Sequence, residues 1–289
     1  MTTPHTITPR SQLDFGLDGD IPTYWFAGDP FKTRLFDAMS VIFPEGERFF
    51  IACVRDFRDQ VQDPQLQADI KDFIRQEAQH GLVHDQYNRR LKAQGIDVDR
   101  LEAITHHILF KLVRRHLPAR QTLAETAAAE HLTAIMAHGF FERKSILNQA
   151  DPRVRALYAW HAMEEIEHKA VAFDVMQKVA GVGYLRRVWA MLVVTLSFNL
   201  HVLLNTRYML KVDGFTRWQR LKLWGKGLAW LYGPGGLYMG LARHYLGYFR
   251  PGFHPWQNGQ MRSYGLWLDT FNRTGDPVLA GEALHAAGR

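Results

Sequence analysis

A chain of 289 residues with 47% apolar residues is long enough to bury a substantial core, which excludes general disorder. Its single cysteine, Cys53, excludes an internal disulfide and a cysteine-built zinc or iron–sulfur site, and fits a reducing cytoplasm. The net charge of +6 is unevenly placed: residues 1–180 carry 22 Lys/Arg against 25 Asp/Glu, whereas residues 181–289 carry 13 against 4, which points the last third toward an anionic partner. No nucleic-acid motif accompanies that charge, so nucleic acid is not an expected partner.

Residues 1–24 are polar, without the apolar run of a signal peptide, and are expected to form a flexible arm. A helical pattern runs from Phe31 to Met39, and Pro44 is expected to interrupt it. The next pattern, Glu45 to Val61, sets Phe49, Phe50, Cys53 and Phe57 on one apolar stripe. Asp63-Pro64 is a helix start, with Asp as cap and Pro at the first turn, and the pattern then runs to Ala93 before Gly95. Asp99 opens a further helix that stops near Leu117-Pro118. The alanine-rich stretch Gln121 to Lys144 is a strong helix former, and Asp151-Pro152 opens a helix expected to reach Ala180. Sustained alternation of period two is absent, so the fold class is all-α. Residues 25–183 are expected to form a helical bundle and residues 184–289 a basic, apolar helical region.

In that last region, Val188 to Thr206 is an uncharged run between Arg187 and Arg207. It is just long enough to span a bilayer, but it contains Thr195, Ser197, Asn199 and His201. A second uncharged run, Gly227 to Ala242, is broken at Gly233-Pro234-Gly235-Gly236. The expectation is a buried or membrane-surface helix pair rather than a transmembrane hairpin. Basic residues flank the first run, and Trp189, Trp218, Trp224 and Trp230 suit an interfacial anchor within residues 184–250. An ordinary helical subdomain is the alternative.

Two Glu-x-x-His pairs, Glu77/His80 and Glu165/His168, each set a carboxylate and an imidazole on one helix face. The helices that carry them are expected to be about 30 residues each, roughly 45 Å long. His84 and Tyr87 continue the first face, while Tyr158 and His161 precede the second. Burying so many ionisable groups is costly unless a cation compensates. Glu130 stands alone in the alanine-rich helix, which favours an inward role. Glu47 is preferred to Glu45, which at a helix start would serve the dipole. Glu164 competes with Glu165, and the spacing of the first pair decides for Glu165, leaving Glu164 and Glu167 behind the ligands or in solvent.

The order Glu47, Glu77-x-x-His80, Glu130, Glu165-x-x-His168 resembles the ferritin-like di-iron carboxylate superfamily. His161-x-x-x-Glu165-x-x-His168 is similar to the last-helix motif of the p-aminobenzoate N-oxygenases, which add a histidine to the usual six ligands. The strings from Arg75 to His80, from Trp160 to His168 and from Phe249 to Trp256 resemble a bacterial family labelled predicted metal-dependent hydrolase, over most of residues 25–260. These resemblances imply a ferritin-like bundle with a C-terminal helical extension. They assign Glu47, Glu77, His80, Glu130, Glu165 and His168 as metal ligands, with His161 as a seventh. His84 falls behind the ligands or along an entry path, and Tyr87 and Tyr158 are candidate redox neighbours or simple packing residues. The remaining histidines are expected to be structural or exposed.

Carboxylate and imidazole donors suit two iron ions, with a mixed manganese–iron pair or zinc as alternatives. The first functional expectation is a non-haem di-iron oxygenase or oxidase, using O2 and an electron donor on a small, lipophilic substrate. The alternative is a dinuclear metal-dependent hydrolase, and the third is a non-catalytic iron-binding protein. Oxidation is placed first because no acid or base separate from the ligands is visible. A cytoplasmic protein at the inner face of the membrane is expected, and a homodimer is an expected assembly.

Overall fold

The computed structural model describes residues 6–141, 146–258 and 263–286. The protein is all-α, and among the described residues the only β pairing is an isolated bridge between Phe26 and Ala150. Helix α1 covers Pro30–Arg58, α2 Pro64–Ala93 and α3 Val98–His106, which passes into a wide-turn π segment, His107–Val113, and the short α4, Arg114–His116. Then come α5, Ala119–Phe141, α6, Pro152–His168, and the short α7, Val171–Asp174. The C-terminal part contains α8, Tyr184–Val212, α9, Arg217–Tyr232, α10, Ala242–Gly247, α11, Tyr264–Thr274, and α12, Pro277–Ala286.

The Asp-Pro starts form as the sequence dictates. Asp63 accepts from the Gln65 amide at 2.9 Å and Asp151 from the Arg153 amide at 3.0 Å, each satisfying a backbone donor that the first turn leaves free. Gly95, at φ +85°, follows α2 in the left-handed conformation that halts a helix. Asp97, rather than Asp99, caps α3 by accepting from the Arg100 amide. The expected end of the alanine-rich helix at Lys144 lies outside the described residues.

Two expectations about helix continuity are corrected. Pro44 does not interrupt the first helix, and α1 runs through it unbroken. A proline in a helix interior costs roughly 3 kcal/mol, but buried Phe31, Leu35, Phe36 and Met39 before it and Phe49, Cys53 and Phe57 after it hold both halves in one line. Conversely, the helix from Asp151 does not reach Ala180 as one piece. It ends at His168, 17 residues long, and resumes as α7 after a turn at Lys169 and Ala170. Lys169 is nearly buried there, with its ammonium 4.6 Å from the Trp256 ring centre.

Two apolar clusters make up the core. The first takes Phe31 to Ile42 of α1, Val83 to Leu91 of α2, Ile135 to Phe141 of α5 and Val154 to Ile166 of α6. The second takes Val54 and Phe57, then Leu66 to Phe73, Leu123 to Ala128, and Val171 to Met176. Along the chain, α1 and α6 therefore run from the first cluster to the second, and α2 and α5 run the other way. Since α2 and α5 are parallel, residues 94–118 must cross from one end to the other. Residues 6–29 are largely non-helical, yet Phe15, Leu17, Trp25 and Phe26 are buried in the first cluster. Helix α8 packs on α1 and α5, and α9 on α1.

Candidate metal centre

On α1, α2 and α5 the stretch between the two apolar clusters carries Glu47, then Glu77 and His80, then Glu130. His161, Glu165 and His168 come from the C-terminal half of α6. All seven side chains are buried, with Glu77, His80 and His168 wholly excluded from solvent. Their donor atoms meet in three overlapping groups, Glu47/His80/His161, Glu77/Glu130/His168 and Glu77/His80/Glu165, within each of which the atoms lie no more than 4.8 Å apart. Glu77 and His80 each belong to two groups, so the three form one continuous centre.

Ordinary hydrogen bonding does not satisfy this centre. Both carboxylate oxygens of Glu47, Glu77 and Glu130, together with His80 Nδ1 and His168 Nε2, are buried without a hydrogen-bond partner. His168 Nε2 lies 3.1 Å from Glu77 Oε1 and 3.3 Å from Glu130 Oε2, but neither approach makes a hydrogen bond. Buried polar atoms are nearly always paired, and here eight unpaired atoms face one another. A cation is the partner that carboxylate oxygens and imidazole lone pairs share, so the residues present fit a metal.

The outward side of each imidazole is fully engaged. His80 Nε2 is 3.1 Å from Glu164 Oε2, and Glu164 Oε1 accepts from Arg10 Nη1 at 2.9 Å. His168 Nδ1 is 2.9 Å from Gln76 Oε1, and Gln76 Nε2 donates to Glu167 Oε2 at 2.7 Å. Glu167 in turn accepts from Arg10 Nη2 at 2.7 Å and from the Tyr264 hydroxyl at 2.6 Å. His161 Nδ1 is 2.8 Å from His84 Nε2, and His84 Nδ1 is 2.8 Å from Ser40 Oγ. Ser40 donates its one proton to Asn88 Oδ1, so it accepts from His84, which must then accept from His161. These directions place protons on the outward nitrogens and turn His80 Nδ1, His161 Nε2 and His168 Nε2 inward, where they would meet a metal; of the three, His161 Nε2 already lies 3.0 Å from Glu165 Oε1. Such outer partners orient ligands and raise their basicity.

In the absence of a cation the centre holds protons instead. Burial would push the His80 imidazole down, but the carboxylates of Glu164 and Glu77 carry it up to about 10. Burial likewise opposes charge on His168, and Glu165 lifts it well above the usual range. Burial, with Glu77 and Glu165 adding repulsion, pushes Glu130 up to about 8. Burial raises Glu47 well above the ordinary carboxylate range despite the pull of His80. Burial and then His80 bring His161 down to about 4.

The seven expected ligand positions are thus brought together, and His84 stands directly behind His161. Tyr87 and Tyr158 direct their hydroxyls away from the centre, to Asp37 Oδ1 at 2.5 Å and to the Phe36 carbonyl at 2.7 Å. Glu45 does not sit at a helix start: it lies inside α1 and pairs with Arg48 at 2.5 Å and His106 Nδ1 at 2.9 Å. Glu164 and Glu167 are buried rather than solvated. The residues that sequence reasoning missed are Arg10, Gln76, Ser40, Asn88 and Thr133, whose hydroxyl donates to Glu165 Oε2. Gln76 directly precedes Glu77 and carried no signal of its own, and Arg10 lies in a segment without periodicity.

The model of a family described as predicted metal-dependent hydrolase matches residues 8–259, and the chain belongs to that family. Comparison with curated proteins and with solved structures finds no match.

Proposed function

We propose that this member of the predicted metal-dependent hydrolase family is a hydrolase working through two divalent ions held by Glu47, Glu77, His80, Glu130, His161, Glu165 and His168. The observation that carries this reading is the set of unpaired, buried donor atoms converging from four helices. Four carboxylates with three neutral imidazoles carry a charge that two divalent ions would cancel. The family description favours hydrolysis over the oxidative chemistry that ligand type alone suggested. Bound divalent ions supply Lewis-acid polarisation of the scissile group and lower the pKa of water.

The chain's own residues supply the remainder. Glu47 is the one ionisable side chain lining a small cavity against the centre, so a molecule entering by that cavity would meet the site first at its carboxylate. Glu164, Gln76 and His84 hold the three imidazoles in place. The antiparallel pairs α1/α2 and α5/α6, with the crossover 94–118 and one Glu or Glu-x-x-His per helix, match the plan of a ferritin-like bundle, and we read the fold so.

The donor set favours one second reading. Carboxylates and imidazoles suit iron, and two iron ions would turn the same centre to O2-dependent oxidation with an external electron donor. Loading the protein separately with zinc, manganese and iron, and assaying activated esters beside O2 uptake, separates the two. Ester cleavage that appears only with bound metal, and that falls together with metal content in Glu47→Gln, supports hydrolysis. O2 consumption by reduced, iron-loaded protein, with no ester cleaved under any metal, would replace it with oxidation.

We further propose that the α8–α9 face rests on an anionic membrane surface at the cytoplasmic side. Leu185, Trp189, Leu192, Leu196, Leu200 and Leu204 recur at three- and four-residue steps on the exposed side of α8, and Trp218 and Leu221 on α9. By length and composition α8 could cross a membrane, with only 22% of its most apolar window buried. Its other side, however, is built into the core through Met191, Val202, Met209 and Leu210, which favours lying on a bilayer over spanning one. Arg207, Lys211, Arg217 and Lys222 are exposed beside this face and suit lipid phosphates.

A further inference from the structure

An apolar cavity of about 460 Å³ lies between α5, α8 and the 232–245 segment, walled by residues such as Ile135, Met136, Leu192, Phe198, Tyr238 and Leu241. Its volume is that of a small-molecule site, commonly about 300–1,000 Å³. None of its lining side chains is charged. Leu192, Leu196 and Tyr232 at its rim are exposed, so it opens on the same face as the leucine stripe of α8.

Leu132, Met136 and Phe198 also line a second, smaller cavity of about 50 Å³, whose wall includes Glu47 and Thr133. Three shared residues thus separate the outer cavity from the metal centre. Phe43, another wall residue, packs against His84 and His161 with ring centres 4.8 and 5.0 Å apart. The path inward is apolar up to Glu47. Met136 stands on it, and an unbranched, flexible methionine side chain can swing to let a thin group pass. A molecule charged or hydroxylated along its length would exchange its hydration for few partners, Thr195, Asn199 and three tyrosines in the outer cavity and Thr133 in the inner, whereas a hydrocarbon chain loses nothing and leaves one polar end for the centre.

We propose that the substrate carries a single alkyl or acyl chain, seated in the outer cavity, with its reacting group carried past Met136 to Glu47. This rests on the metal-enzyme reading, because Glu47 and its neighbours give the chain something to deliver.

Calorimetric titration of the zinc-loaded full chain with butyrate, octanoate and decanoate tests it, with zinc content measured on every sample. The expected result is affinity that tightens by up to about fourfold per added methylene, the equivalent of about 0.8 kcal/mol. Thr195→Trp, at the half-buried wall of the outer cavity, should weaken decanoate at least tenfold while leaving butyrate affinity unchanged, and Met136→Trp, which closes the path itself, should weaken both acids, with zinc content unchanged in each. Affinity independent of chain length, or Trp variants that bind decanoate as the parent does, would overturn the proposal. Chain-length dependence in protein that takes up no zinc would leave the cavity standing and remove the metal reading, so the two failures are distinguishable.

Discussion

Arg10 shows how the charged layer stays inside the protein. Its guanidinium binds Glu164 and Glu167, both fully buried, and these hold His80 directly and His168 through Gln76. A buried carboxylate without such a partner would take up a proton or destabilise the fold. The inner ring of Glu77, Glu130, His80 and His168 has no equivalent cation among the described residues, so without metal it keeps protons on His80, raised to about 10, on Glu130, raised to about 8, and on His168. A metal needs the lone pairs that those protons occupy, and binding must therefore release them. Fewer protons remain to displace as pH rises, so metal affinity should strengthen from pH 6 to 8, with proton release seen by calorimetry in buffers of different ionisation enthalpy. Affinity that stays flat or falls over that range would contradict the account. The two Glu-x-x-His pairs were legible in the sequence because that spacing fixes two side chains on one helix face, whereas their meeting with Glu47, Glu130 and His161 was what the family resemblance implied. Arg10 was not legible: it lies 154 residues from Glu164 in a segment with no period, and only tertiary packing joins them.

Helix boundaries were legible where local chemistry sets them, as at Asp63-Pro64, Asp151-Pro152 and Gly95. They were not legible where packing overrides a local preference, as at Pro44, or where a turn serves a distant side chain, as at Lys169 beside Trp256. Close packing of elements makes a separate prediction at α9. A Cβ on Gly227 would lie 2.3 Å from the Phe31 ring of α1, whereas one on Gly225 would meet nothing within 4 Å. Alanine improves helix propensity at either position by about 1 kcal/mol, but overpacking costs about 1–3 kcal/mol. Gly227→Ala should therefore lower the urea midpoint and Gly225→Ala should hold or raise it. A raised midpoint for Gly227→Ala would contradict the close contact between α1 and α9.

Across the whole molecule, chemistry and surface character divide. The metal centre lies between two apolar clusters of the bundle, while the basic, leucine-lined helices α8 and α9 cover one side of it. The charge asymmetry and the uncharged run were visible in sequence, but not that α8 would bury one face and expose the other. Flotation with vesicles containing phosphatidylserine should carry the protein upward, and less so at high salt, since the basic flank is screened. Protein that stays at the bottom and elutes as a dimer would assign the leucine stripe to a second copy instead. The centre itself is tested most directly by metal content per chain after reconstitution and desalting. Two ions per chain are predicted, falling below one in Glu77→Ala, because Glu77 belongs to two of the three donor groups. A parent protein that retains no stoichiometric metal, or a Glu77→Ala variant that retains two ions, would contradict the account.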